Sequence, residues 1–238
     1  IPGGDLGVVT AQQDGTDVLL NYGASGGIRL IGGDLDDWAS EGEEINGTTG
    51  DDVLIGTVGD DTVFGGNGGD RIEGGDGNDI ISGGAHYDTI FGGAGDDIVA
   101  GDNGRDTVYL GLGNDIFNDN TQTGTHASDT VFGEDGDDVI IGGGGTDAFD
   151  GGSGADTLSG GIGNDVLTGG SGADLFQFAI GDGADTITDF EIGIDQIEID
   201  GVAAFSELVL SSNAASTNIT YGASGSTISL QDILLEDL

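Results

Sequence analysis

The chain has 238 residues, 52 of them Gly, with 45 acidic residues against three Arg and no Lys, for a formal charge of −42. So acidic a balance excludes a basic nucleic-acid interface and attraction to anionic membranes. There is no Cys, so neither disulfides nor thiol chemistry can operate, and no apolar run reaches the length of a membrane span.

The first 46 residues read as a β-rich cap or tail-like segment. They carry no basic start followed by an apolar core, and residue 1 is Ile. We read the chain as processed or as a segment of a longer protein. Within this segment lies YGASGGIRLIGGDLDDW at 22–38. Its stretch 23–27 fits the GxSxG pattern of a nucleophile elbow. A working triad needs a His with an acidic partner, and the only histidines, His86 and His126, lie inside repeats further on. A hairpin turn is the better reading. HExxH is absent and Walker A is impossible without Lys. Dozens of evenly spaced acids do not resemble one catalytic carboxylate pair. No catalytic residue is assigned.

From residue 47 the chain becomes periodic. Eight nonapeptides run to 118: GTTGDDVLI, GTVGDDTVF, GGNGGDRIE, GGDGNDIIS, GGAHYDTIF, GGAGDDIVA, GDNGRDTVY and LGLGNDIFN. Five residues at 119–123 break the register, and six more units fill 124–177. Position six is Asp and position eight is apolar in all fourteen units. Position one departs from Gly once, at Leu110, and position four twice, at His86 and Ala127. The pattern is GGxGxDxUx, a repeat of solenoid type.

Glycines permit backbone angles closed to other residues, and the last three residues of each unit predict a very short strand. Position eight then points inward. This makes a core column of Leu54, Val63, Ile72, Ile81, Ile90, Val99, Val108 and Phe117. It continues through Val131, Ile140, Phe149, Leu158, Leu167 and Phe176. Two units close one coil, so strands on the same side lie 18 residues apart. Strands stack about 4.8 Å apart, which brings each position-six Asp close to the next. A bare pair repels by roughly 1 kcal/mol in water and about 3 at intermediate dielectric. Over two columns this exceeds a domain stability of roughly 5–15 kcal/mol. A dication between the carboxylates reverses the sign. Carboxylates with backbone carbonyls suit Ca²⁺, whereas Mg²⁺ demands tighter octahedral geometry and Zn²⁺ prefers the missing His and Cys.

The repeats resemble the RTX, or haemolysin-type, calcium-binding family of secreted bacterial proteins. That resemblance implies an all-β fold, a right-handed parallel β-roll (a β-solenoid) with β-rich caps at both ends. It implies that two turns share each Ca²⁺ through position-six carboxylates and glycine-loop carbonyls. The implied carboxylate ligands of the first block are Asp52, Asp61, Asp70, Asp79, Asp88, Asp97, Asp106 and Asp115. Those of the second are Asp129, Asp138, Asp147, Asp156, Asp165 and Asp174. The implied carbonyls belong to Gly66, Gly68, Gly75, Gly77, Gly93, Gly95, Gly143, Gly145, Gly152, Gly154, Gly161, Gly163, Gly170 and Gly172. Pairing units two apart gives about ten ions.

The remainder, 178–238, reads as a C-terminal β-rich cap. Residues 173–202 resemble the family's terminal cap, where Asp185, Asp189 and Asp195 would line a closing site. Phe178, Ile187, Phe190, Ile197 and Ile199 would cover the open end of the core. YGASGSTISLQDILLEDL at 221–238 echoes 22–38. We read a repeated element here; two generic Gly-rich hairpins are the alternative.

Apolar residues also occupy outward positions: Ile55, Phe64, Phe91, Tyr109, Phe132 and Ile141 at position nine, and Ile80, Ile98 and Ile116 at position seven. Exposed apolar columns can mark a partner surface; strand propensity, with cover from the terminal segments, is the better reading. The family resemblance implies an extracellular or cell-surface protein, exported by type I secretion and folded by calcium outside the cell. Two roles follow: a structural unit of an extracellular assembly, with head-to-tail self-association, or the non-catalytic carboxyl-terminal module of a larger secreted enzyme. Nucleic acid and membrane insertion are not among the expected partners.

Overall fold

The computed structural model describes residues 42–119, 128–204, 207–213, 215–223, 225–234 and 236, with the backbone of three strands nearer the N-terminus. Alternate nonapeptides supply opposite faces of a parallel β-solenoid. One face takes Val53–Ile55, Arg71–Asp76, Thr89–Ala94, Thr107–Leu112, Thr130–Asp135, Ala148–Ser153, Val166–Ser171 and Ala184–Ile187. The other takes Glu44–Asn46, Thr62–Asn67, Ile80–His86, Ile98–Gly104, Ile116–Asn118, Val139–Ile141, Thr157–Ser159, Leu175–Ala179 and Gln196–Asp200. Leu54 pairs with Ile72 and Val63 with Ile81, the 18-residue spacing. Across the interruption Val108 pairs with Val131 and Phe117 with Ile140. The register therefore survives the interruption.

Position eight fills the core. All fourteen residues of the expected column are at most 2% exposed. Leu110, standing where position one is otherwise Gly, joins them at 0%.

The strands are longer than the repeat suggests. Many run six residues, from position seven into position three of the next unit, as in Arg71–Asp76 and Thr89–Ala94. Glycine at position two makes this possible. Gly75 and Gly93 have φ of 122° and 123° and still pair with one another, so the ladder turns the corner intact.

Both ends are closed by antiparallel hairpins on the same face. Ser226–Gln231 lies parallel to Ala184–Ile187 and antiparallel to Ser216–Tyr221, with Val209–Ser212 outermost. At the other end Gly26–Leu30 lies parallel to Val53–Ile55 and antiparallel to Asp17–Tyr22, with Thr10–Asp14 outermost. The two YGASG segments thus each connect a hairpin. The hairpins differ in register: Tyr22 pairs with Gly26, whereas Tyr221 pairs with Ser226. The C-terminal turn is one residue longer. Ser25 falls outside the described residues; the strands that flank it pair antiparallel, whereas a nucleophile elbow passes from a strand to a helix.

Phe178 and Ile187 are buried, and Phe190, Ile197 and Ile199 pack against the core. On the outer surface Phe91, Tyr109 and Phe132 stack with centroids 5.0 Å apart, and Arg71 lies 4.4 Å over Phe91. Ile80, Ile98 and Ile116 form the expected column. They stay 40–49% exposed, and none of the described terminal residues covers them. Among the described residues no helix is long and apolar enough to cross a membrane.

Candidate metal centre

Positions one to six carry the chain from one face to the other, and the turn is built around the position-six Asp. Its backbone N–H donates to Oδ1 of the Asp one coil later. Examples are Asp52 to Asp70 at 2.8 Å, Asp97 to Asp115 at 2.7 Å and Asp156 to Asp174 at 2.9 Å. Its carbonyl accepts the position-seven N–H of the next coil, as Asp52 does from Arg71 at 2.9 Å. Each carboxylate is thus locked in place by the preceding rung. The contact that orders the ladder is amide to carboxylate.

The other oxygen is left over. In eleven of the fourteen units Oδ2 is buried with no hydrogen-bond partner. Asp52 and Asp61 differ, because Thr stands at position two. The amides of Thr48 and Thr57 donate to those Oδ2 atoms at 2.5 Å, and the hydroxyls reinforce them at 2.9 and 3.1 Å. Asp174 is the third unit without an orphaned oxygen.

Position-one glycine walls the space around Oδ2. A methyl group placed on Gly65, Gly83, Gly92 or Gly101 would lie 2.6–2.7 Å from Oδ2 of its own unit's Asp. Gly92→Ala would also drive into the Leu110 carbonyl. We expect Gly92→Ala to raise the calcium concentration for folding severalfold, through a clash of roughly 1–3 kcal/mol. A circular dichroism titration against calcium reads this, and an unchanged midpoint would show the cradle to be slack.

Positions two and four take left-handed backbone in most turns, including Gly66, Gly68, Gly75, Gly77, Gly93, Gly95, Gly152, Gly154, Gly170 and Gly172. Three other residues are forced to comply: His86 at φ 93°, Asp102 at 65° and Glu134 at 72°. Gly143 and Gly161 keep positive φ. Gly145 and Gly163 do not; they lie in a short ladder, Gly144–Gly145 with Ile162–Gly163. The exposed His86 ring lies 3.4 Å from the amide of Gly68, outside the carboxylate column.

Electrostatics follow burial. Removal from water raises the carboxyls of Asp79, Asp88, Asp115, Asp156 and Asp165 to about 6. It raises those of Asp97, Asp138, Asp147 and Asp185 to about 7. Asp106 rises to about 8, by burial first and then by the charges of Asp129, Asp88 and Asp119. In each case the amide of the preceding rung pulls the other way, and burial wins. Anionic oxygens that are buried, lack donors and sit in a glycine cradle fit a hard cation.

The cap residues divide. Asp185 accepts from the amide of Asp165 and Asp195 from that of Asp174, both at 3.0 Å. They add one rung to each column. Asp189 is placed otherwise, accepting from Gly169 and Gly170 at 2.9 and 2.8 Å.

Asp119 was missed by the repeat register, which assigns it to the five-residue break. Its amide donates to the Ile141 carbonyl at 2.9 Å, the bond that position one makes at Gly142 to Ser159. Asp119 therefore occupies position one. Counting on from the strand that ends at Asn118 would have found this. Its side chain is 1% exposed, and carboxylate oxygens of Asp106, Asp119 and Asp129 all lie within 4.8 Å of one another.

The RTX calcium-binding nonapeptide repeat family (four copies) matches residues 40–72, 64–98, 82–117, 123–158 and 150–179, more than half of the chain. No match was found among curated proteins. Among solved structures the chain is similar to the extracellular lipase LipA from Serratia marcescens, at 21% identity and a TM-score of 0.28. The likeness covers 80% of this chain and 39% of the lipase, so the chain spans well under two thirds of that protein's length.

Proposed function

Because this chain belongs to the family of RTX calcium-binding nonapeptide repeats, we propose that it is a secreted, non-catalytic structural unit of an extracellular assembly, folded by calcium. The row of buried, partnerless Oδ2 atoms carries this reading. The position-six aspartates from Asp52 to Asp174 would hold about ten ions between successive coils, with the glycine-loop carbonyls of positions two and four. Asp185 and Asp195 would extend the two columns into the cap. Asp189 would serve as a closing ligand, its two oxygens held by the amides of Gly169 and Gly170 as those of Asp195 are held by Asp174 and Glu191. The ion supplies positive charge, and the residues supply a walled position for it.

Inside a cell, where calcium is scarce, the chain stays extended, a state suited to type I secretion. Outside, millimolar calcium exceeds affinities of about 10⁻⁴–10⁻³ M. Binding then becomes folding, because the unfolded chain has no site.

The assembly role draws support from the sheet ends. Thr10–Asp14 and Val209–Ser212 are the outermost strands of the longer sheet, and an outermost strand is a template for pairing. Sedimentation and electron microscopy of the calcium-loaded chain test this. Calcium-dependent head-to-tail polymers are expected. Strict monomers at every calcium level would favour the other role, the carboxyl-terminal module of a larger secreted enzyme.

A further inference from the structure

The place where the repeat is interrupted is chemically unlike the other described turns. At Gly101 two carboxylate oxygens converge on one bare Cα. A methyl group there would lie 2.6 Å from Asp106 Oδ2 and 3.0 Å from Asp119 Oδ2. Asp106 is 0% exposed and its Oδ2 has no hydrogen-bond partner. Asp129, one coil on, brings the third carboxylate within 4.8 Å. Oxygens bound to one calcium ion, each at 2.3–2.6 Å, lie up to roughly 5 Å apart. One ion can therefore reach all three.

We propose that Asp106, Asp119 and Asp129 form a three-carboxylate cation site, distinct from the two-carboxylate rungs, which holds the roll's tightest ion and pins the coil at the point where the chain departs. This rests on the reading that the ladder binds calcium. Two carboxylates neutralise a dication, whereas three leave an excess negative charge that a trication satisfies. The site is thus selective for charge, and it should take a trivalent lanthanide in preference to the ordinary rungs.

The experiment uses the full chain saturated with calcium, to which one equivalent of Eu³⁺ is added. Europium's single-line excitation band separates sites by the total charge of their ligands. The expected result is one dominant line, abolished in Asp119→Asn and in Asp119→Gly, with at least a tenfold loss of Eu³⁺ affinity. Asp119→Gly restores the glycine of the other turns, and circular dichroism with calcium checks that both variants fold. Asp137→Asn, an exposed acid removed at position five, should leave the line in place. A line and affinity unchanged in both Asp119 variants would overturn the proposal. A wild-type chain that calcium does not fold would overturn the reading beneath it instead.

Discussion

Treating the calcium-loaded chain with EGTA at neutral pH is expected to unfold it, with the radius of gyration rising from roughly 20 Å to about 50 Å. Eleven buried position-six oxygens lack a donor. An unsatisfied buried polar group costs about 1–3 kcal/mol, and a charged one more. Eleven of them outweigh a domain stability of roughly 5–15 kcal/mol. The apolar column cannot compensate, because each unit contributes one core side chain. Loss should be cooperative along the roll, since each coil orders the next through the Asp N–H to Oδ1 bonds. Small-angle scattering and far-ultraviolet circular dichroism read both quantities. A chain that keeps its β signal and its compact radius after chelation would sink the calcium-folding account.

Acid should partly replace the metal. Ten ladder carboxyls, from Asp79 to Asp185, are raised to between about 6 and about 8 by burial. In the unfolded chain they titrate near 4. The coiled state therefore binds more protons between these limits, and its stability rises as pH falls. Each group contributes about 1.4 kcal/mol per pH unit inside that window. We expect the chelated chain, unfolded at pH 7.5, to recover β structure near pH 5. Protons and calcium compete for the same oxygens, so the calcium midpoint should climb as pH drops below about 7. A chelated chain that takes up no protons and stays unfolded at pH 5 would contradict this.

Much of this was legible in the residues. The column from Leu54 to Phe176 followed from position eight alone, because one unit makes one strand and alternation fixes which residue faces inward. The 18-residue pairing followed from two units closing a coil. The extended strands did not follow. A run such as Gly74-Gly75-Asp76 has no strand propensity, and it joins the ladder because its neighbour one coil away offers the same geometry. The threonines at 48 and 57 hid for a similar reason. They look like ordinary departures from glycine, yet they close onto Asp52 and Asp61. Asp119 was lost to a choice of register, since five extra residues can be cut from the chain at more than one point. The outward isoleucines at 80, 98 and 116 were assigned cover from the terminal segments, yet they stay 40–49% exposed.

The alternation of faces has a consequence for how such a chain can change in length. Removing one nonapeptide would send every later unit to the opposite wall and present the closing hairpin to the wrong one. Removing two would shift everything by a whole coil and leave each residue with an equivalent neighbour. The roll has parity: it lengthens or shortens in steps of eighteen. Across the interruption the partners lie 23 residues apart, Val108 with Val131 and Phe117 with Ile140, and each unit still meets its own wall.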